Sequence, residues 1–238
     1  MPYGTKKALV LRRNNYREND RIISLLTPDI GKVDALARGA RKLKSPLLAA
    51  TEPAVLGEFV LYKGKGHTIV TAFNLEDNFF PLRKDIERFS HAALMLSACD
   101  AVARENEEAR HLFILSIRSL SRLSYSDMAA DLISSAFLLH FSTIEGFKPR
   151  LNHCSLCEKP FKLDDSAMLD PLSGGLICKT CSIGKKAPYI SPKQAAWLRQ
   201  VLIDGVDEVA PIADPPIAAL INYVQVFIDK KLPKIISF

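Results

Sequence analysis

The chain has 238 residues, too many for one ordinary domain of about 100 to 150, so two or three folded parts with a sizeable core are expected. Apolar residues make up 48% and charged residues 24%, a globular balance that leaves no room for a long disordered tail. No apolar run approaches the ~18 residues of a membrane span, and MPYGTKKALVLRR lacks a signal-peptide plan, so a cytoplasmic protein with no membrane partner is expected. The net charge of +6 is unevenly placed. Residues 1–44 hold eleven Lys/Arg against four Asp/Glu, or +7, which leaves 21 basic against 22 acidic residues in the remainder. That asymmetry points to a polyanion, nucleic acid before membrane, although charge alone reads nearly as well as a solvated basic surface.

In chain order, TKKALVLRR (5–13) and RIISLLT (21–27) are short apolar segments that read as strands, with Asn14–Asp20 as the loop between them. After the Pro28-Asp29-Ile30-Gly31 turn, GKVDALAR alternates weakly as a third strand. VLGEFVLYKG and HTIVTAFNLE, joined through Lys63-Gly64-Lys65-Gly66, form a hairpin. Five short strands with a longer link between the third and fourth match the outline of an OB-fold, a small Greek-key barrel. That link, ARGARKLKSPLLAA, carries Arg38, Arg41, Lys42 and Lys44 and can follow a phosphate chain. Phe59 and Tyr62 are aromatic candidates for stacking on bases, and more readily core residues.

From Pro81 the period becomes helical. Ile86, Phe89, Ala93, Leu96 and Val102 mark one helix, and Leu112, Phe113, Ile117, Leu120 and Leu123 a second. A third starts near Ser126, read as its N-cap, and runs through Phe137, His140 and Ile144 to a stop at Gly146 and Pro149. These three are expected to pack as one helical lobe. His91, His111 and His140 have no ligand at metal spacing and read as surface or core residues, as does His67 in the hairpin. Ser191-Pro192 opens a further helix by cap and N1 proline, and PIAALINYVQVFIDKKL ends the chain as an amphipathic helix that needs a groove.

The strongest local signal is a pair of C-x2-C knuckles, Cys154/Cys157 and Cys178/Cys181, separated by 20 residues. Thiolates at that spacing converge on one tetrahedral Zn²⁺, and four of them close the coordination sphere, so the metal is structural. Two disulfides are disfavoured in the cytosol, and a redox C-x-x-C has no need of duplication. His153 adjoins the first knuckle but competes with four sulfurs. The intervening FKLDDSAMLDPLSGGLI reads as a small ribbon with a Ser-Gly-Gly turn and few apolar residues, so the metal supplies stability that its core cannot. Cys99, in AALMLSACDAV, reads as a small buried hydrophobe.

Three stretches together resemble the RecO family of bacterial recombination mediators. They are LVLRRNNYREND with RIISLLTPDIGKVDALARGARKLKS, FSTIEGFKPRLNHCSLC through GGLICKTC, and VFIDKKLPKIISF. The resemblance implies an α+β multidomain protein: residues 1–80 an OB-fold nucleic-acid-binding domain, residues 81–238 an α-helical domain with a four-cysteine zinc finger inserted at about 150–185. It implies binding to ssDNA and dsDNA, annealing of complementary strands, and loading of RecA, with RecR, onto DNA coated by the single-strand binding protein SSB. The SSB C-terminal tail is an expected partner, and the setting is bacterial cytoplasm, at the nucleoid during repair. By matching motif, Arg38, Arg41, Lys42 and Lys44 carry over as DNA-binding residues, with Lys32 beside them; no motif locates the SSB-tail pocket.

The chain shows no paired-carboxylate cluster, phosphate-cradling G-x-x-x-x-G-K-S/T loop, H-E-x-x-H or nucleophile elbow, so no enzyme is expected. Two rivals are a zinc-dependent nucleic-acid enzyme, against which four thiolate ligands argue, and a zinc-containing protein-interaction adaptor that does not bind DNA directly.

Overall fold

The computed structural model describes residues 4–64 and 66–236. Met1–Tyr3, Lys65, Ser237 and Phe238 lie outside the described residues, and with them the first positions of the leader reading, one residue of the Lys-Gly-Lys-Gly turn and the end of the tail motif. Five strands, β1 (Gly4–Tyr16), β2 (Asp20–Thr27), β3 (Gly31–Ala37), β4 (Leu56–Lys63) and β5 (Thr68–Asp77), form a closed barrel in the order β1-β2-β3-β5-β4. Closure comes from antiparallel pairing of β1 with β4 and a short parallel contact, Ala35 and Leu36 of β3 against Thr68 and Ile69 of β5. The topology is that of an OB-fold, as the strand spacing suggested. The interior is filled by the alternate residues Ala8, Val10, Ile23, Leu25, Val33, Ala35, Phe59, Leu61 and Val70. Leu9 and Leu11 are buried as well, because their face of β1 is where a helix packs on the barrel.

Strand β1 runs three residues further than the sequence reading, through Asn14, Asn15 and Tyr16, which pair with Ile22, Arg21 and Asp20 of β2. The polar composition of that stretch signals exposure, not the end of strand. Gly31 follows the β2–β3 turn with φ +67, and a Cβ there would sit 2.2 Å from the Arg104 carbonyl oxygen and 2.4 Å from that of Glu107. Thr27 Oγ1 donates to the Gly31 carbonyl at 2.9 Å, and Lys32 N donates to Arg104 O at 2.9 Å. The Thr-x-x-x-Gly motif is thus a socket into which the chain after the first long helix closes.

After a four-residue helix α1 (Leu47–Ala50) and a 3-10 turn at Phe80–Lys84, the helices are α2 (Ile86–Val102), α3 (Arg110–Tyr125), α4 (Ala130–Ile144), α5 (Pro192–Asp204) and α6 (Ile217–Ile228). Helix α2 is capped by Asp85, whose side chain accepts from Arg88 N. Its buried set is Ser90, His91, Ala92, Leu94, Met95, Leu96, Ala98 and Cys99; Leu96 of the expected face is buried, whereas Ile86 and Phe89 are 56% and 40% exposed. Burial on more than one side flattens the periodicity on which that expectation rested. Ser126 is not an N-cap, since α4 begins at Ala130 without a side-chain cap. Ser191 caps α5 in a reciprocal pair with Gln194, as expected.

The compact units do not follow the change from strand to helix. A first unit ends at Ser124 and is rejoined by the chain from Lys234, and a second is Tyr125–Pro233. Within the first, α2 packs on β1 and β2. Within the second, α4 packs on α5 and α6. The Gly-Phe-x-Pro turn explains that packing: Gly146 takes φ +84 to end α4, and Phe147 stacks on Phe227 with centroids 4.7 Å apart and planes at 4°. Tyr223 donates to the Phe147 carbonyl at 3.1 Å. The second unit also carries a small sheet, β6 (Ala167–Asp170), β7 (Gly175–Cys178) and β8 (Tyr189–Ile190), in the order β7-β6-β8.

Candidate metal centre and nucleic-acid interface

The ribbon holds both knuckles by backbone contacts. Its hairpin turn closes with Gly174 N donating to Pro171 O at 3.1 Å, and Gly175 lies so close to Arg150 that a Cβ would meet its backbone oxygen at 2.4 Å. That approach lets Arg150 N donate to Gly174 O (3.0 Å), Leu176 N to Arg150 O (2.9 Å) and Ser155 N to Leu176 O (2.8 Å). The chain entering the first knuckle is thereby paired alongside the strand that leads into the second. The second glycine of the Ser-Gly-Gly motif is thus a packing residue, a role the turn signal did not distinguish. Asp170 binds Lys185 at 2.7 Å and accepts from Ser173, which ties the turn to the loop after the second knuckle. Burial works to raise the Asp170 carboxyl, but these partners hold it below the usual carboxylate range.

The Sγ atoms of Cys154, Cys157, Cys178 and Cys181 all lie within 4.8 Å of one another, and Cys157 and Cys178 are 3.8 Å apart. A tetrahedron of thiolates about 2.3 Å from one ion has edges of about 3.8 Å, so the set fits a single tetrahedral metal. Cys178 N donates to Cys154 Sγ at 3.3 Å. Burial pushes the Cys154 thiol up, but the backbone N–H groups of Cys157, Cys178 and Leu156 outweigh it and hold the group down at about 6. Cys181, sharing hydrogen bonds first with Cys178 and then with Cys157, is pushed up to about 12. Four thiols this close share their protons by hydrogen bonding, and a cation that entered between them would displace those protons. His153 is exposed and is not among the converging ligand atoms. Cys99 is fully buried beside Ser116, as its apolar surroundings suggested.

The structure sorts the eleven cations of residues 1–44. Six pair with carboxylates: Lys6 with Asp29, Lys7 with Glu76, Arg12 and Lys32 with Asp100, Arg13 and Arg21 with Glu52. Lys32 lies 2.9 Å from an Asp100 carboxylate oxygen and also donates to the Asp100 carbonyl, so it stabilises α2 against the barrel and is a poor candidate for contact with a phosphate. Arg41 directs its guanidinium at the carbonyls of Arg17 (3.2 Å) and Glu18 (2.9 Å). These bonds fasten the link onto the β1–β2 turn, together with Gly39 N on Asp20 (2.8 Å) and Arg41 N on Asn19 O (3.0 Å). Arg38, Lys42 and Lys44 are exposed and have no side-chain partner among the described residues.

Arg17 belongs with them. It sits in the turn at φ +51, exposed, its guanidinium 5.2 Å from the centroid of the half-buried Tyr16 ring. Sequence reading placed it in an unremarked loop, and only the fastening of link to turn, with Arg41 donating to the Arg17 carbonyl, brings it to the basic link. The unpaired charge therefore gathers at one end of the barrel. Of the two aromatic candidates, Phe59 is fully buried against Phe73 and belongs to the core, while Tyr62 is 53% exposed.

Comparison with known proteins agrees with this architecture. Residues 1–79 match the family model described as Recombination protein O N terminal, and residues 83–236 match Recombination protein O C terminal. The chain is 30% identical to the DNA repair protein RecO of Alkaliphilus metalliredigens over 94% of its length and 93% of the relative's. It is 35% identical to DNA repair protein RecO of Heliobacterium modesticaldum, covering 82% of this chain and 72% of that one, and 34% identical to that of Acetivibrio thermocellus, covering 76% and 71%. With an OB-like barrel, a helical C-terminal region and a four-cysteine cluster in family order, the chain belongs to the RecO family of DNA repair and recombination proteins.

Proposed function

We propose that this chain is a recombination mediator that grips the backbone of ssDNA and dsDNA without sequence preference and anneals complementary strands. The observation that carries the reading is the set of exposed cations Arg38, Lys42 and Lys44, which have no ion-pair partner among the described residues, on a link fastened to the β1–β2 turn. Phosphate contacts of this kind neutralise charge and leave base edges available, which is what pairing of two polyanions requires, and no bond is made or broken. The reaction is therefore mediation, not catalysis of covalent chemistry. In this reading residues 1–80 form the nucleic-acid-binding domain and residues 81–238 the helical domain with the ribbon at about 150–185. Cys154, Cys157, Cys178 and Cys181 hold one Zn²⁺, which cross-links the two knuckles and offers no open coordination position. RecR, the SSB C-terminal tail and, indirectly, RecA are its partners, by analogy with the family. The test is gel-shift titration of labelled single and double strands at two salt concentrations, with annealing followed by fluorescence quenching. Salt-sensitive binding and accelerated annealing are expected; salt-independent or absent DNA binding would favour a protein-only adaptor.

A further inference from the structure

The segment that enters the first knuckle has a second feature, outside the barrel. Lys148, Arg150, His153 and Arg199 line one groove of about 440 Å³ in the second compact unit, with Leu202 and Ile203 on its wall and no acidic residue in its lining. Lys148 and Arg150 are exposed, and neither has a side-chain hydrogen bond or ion pair among the described residues. The backbone of Arg150 is held in place, because it is paired to the ribbon on both its N–H and its carbonyl. Arg199 is fixed from α5 by donating through Nε (3.0 Å) and Nη2 (2.8 Å) to the Leu151 carbonyl, which holds its charge at the groove. Cations gathered without an acid repel one another, and an anion that enters between them relieves that repulsion.

We propose that this groove is a second binding site for the phosphate backbone of single-stranded nucleic acid, separate from the barrel site. Ile203, 78% exposed, offers an apolar surface on which a base can lie while Lys148 and Arg150 take the adjoining phosphates. Annealing gives the site a purpose: two strands must be held, and each compact unit then carries its own strand-binding surface. The proposal rests on the reading of the chain as DNA-binding, and the variants below separate the two.

The experiment uses the full-length, zinc-loaded protein and a short fluorescein-labelled oligothymidylate. The parent is expected to bind two strands per chain. Lys148→Glu with Arg150→Glu is expected to bind one, with unchanged melting temperature and a log-log salt slope shallower by about 1.4, since each single-strand phosphate contact contributes about 0.7. Lys148→Arg with Arg150→Lys keeps the charge and restores both. Loss of one strand in Arg38→Ala/Lys42→Ala/Lys44→Ala, and of both in the combined variant, completes the expected pattern. One strand per parent chain that the charge-reversed groove variant still binds, with an unaltered slope, overturns the groove proposal and leaves the barrel reading standing. Loss of binding only in the groove variant overturns the barrel reading and keeps the groove. Unchanged oligonucleotide binding with lost binding of a polyglutamate peptide makes the groove a protein-docking site and likewise defeats the proposal.

Discussion

Replacing Arg38, Lys42 and Lys44 together by Ala removes cations that the fold leaves facing solvent, so the substitutions remove charge without breaking an internal contact. Each phosphate contact to a single strand adds about 0.7 to the slope of log affinity against log salt, and three together add about 2. Over the fourfold range from about 50 to 200 mM salt, the variant's affinity should therefore fall about 20-fold less than the parent's. Adding Arg17→Ala should shallow the slope by a further ~0.7, because the turn carries that side chain at the same end of the barrel. Lys32→Ala is the contrast: its charge is already matched by Asp100 at 2.9 Å, so the slope should stay while stability drops. The measurement is fluorescence anisotropy with strands of unrelated sequence, titrated at several salt concentrations, beside urea unfolding of each variant. Equal slopes for the parent and the triple variant, or a Lys32 variant as shallow as the triple, would refute the separation of free from internally paired cations.

Elemental analysis should find one Zn²⁺ per chain, and Cys178→Ser or chelation should lower the melting temperature, with near-ultraviolet changes confined to the ribbon. Gly31→Ala should cost about 2–4 kcal/mol in urea unfolding, the sum of a left-handed alanine and an overpacked contact, because a Cβ would stand 2.2 Å from a carbonyl oxygen. His91 is buried, and burial above all, with Arg88 adding and Glu87 and Asp85 opposing, holds its imidazole down at about 4 against the ordinary 6.5. Between those values the unfolded chain binds more protons, so stability is full above pH ~6.5 and falls by about 3 kcal/mol as pH drops to about 4. His91→Gln should flatten urea midpoints across that range; an undiminished slope would assign the acid sensitivity to other groups.

Strand count and order in the barrel were legible because β-branched and aliphatic runs alternate with Pro, Gly and polar turns at regular spacing, and that local information is enough for an OB outline. The polar end of β1 was not legible, since pairing with β2 and not apolar side chains keeps it extended. The knuckles were legible as a ligand set, because a two-residue gap constrains two sulfurs wherever the ribbon goes. Which face of α2 is buried was not, since the helix is covered on more than one side and its pattern carries no single stripe.

The sequence by itself determined the elements whose causes are local: five strands, the capping box at Ser191, the stop at Gly146, the four thiol ligands and the basic bias of the first 44 residues. Only the tertiary structure decided which of those charges are free. Asp100, Glu52 and Glu76 come from segments distant along the chain and pair with Arg12, Lys32, Arg13, Arg21 and Lys7, while the exposed Arg41 donates to two carbonyls of the β1–β2 turn. A charge count is additive along a sequence, but a field is a sum over space. The cations left to meet a phosphate are those for which folding brings no carboxylate within reach.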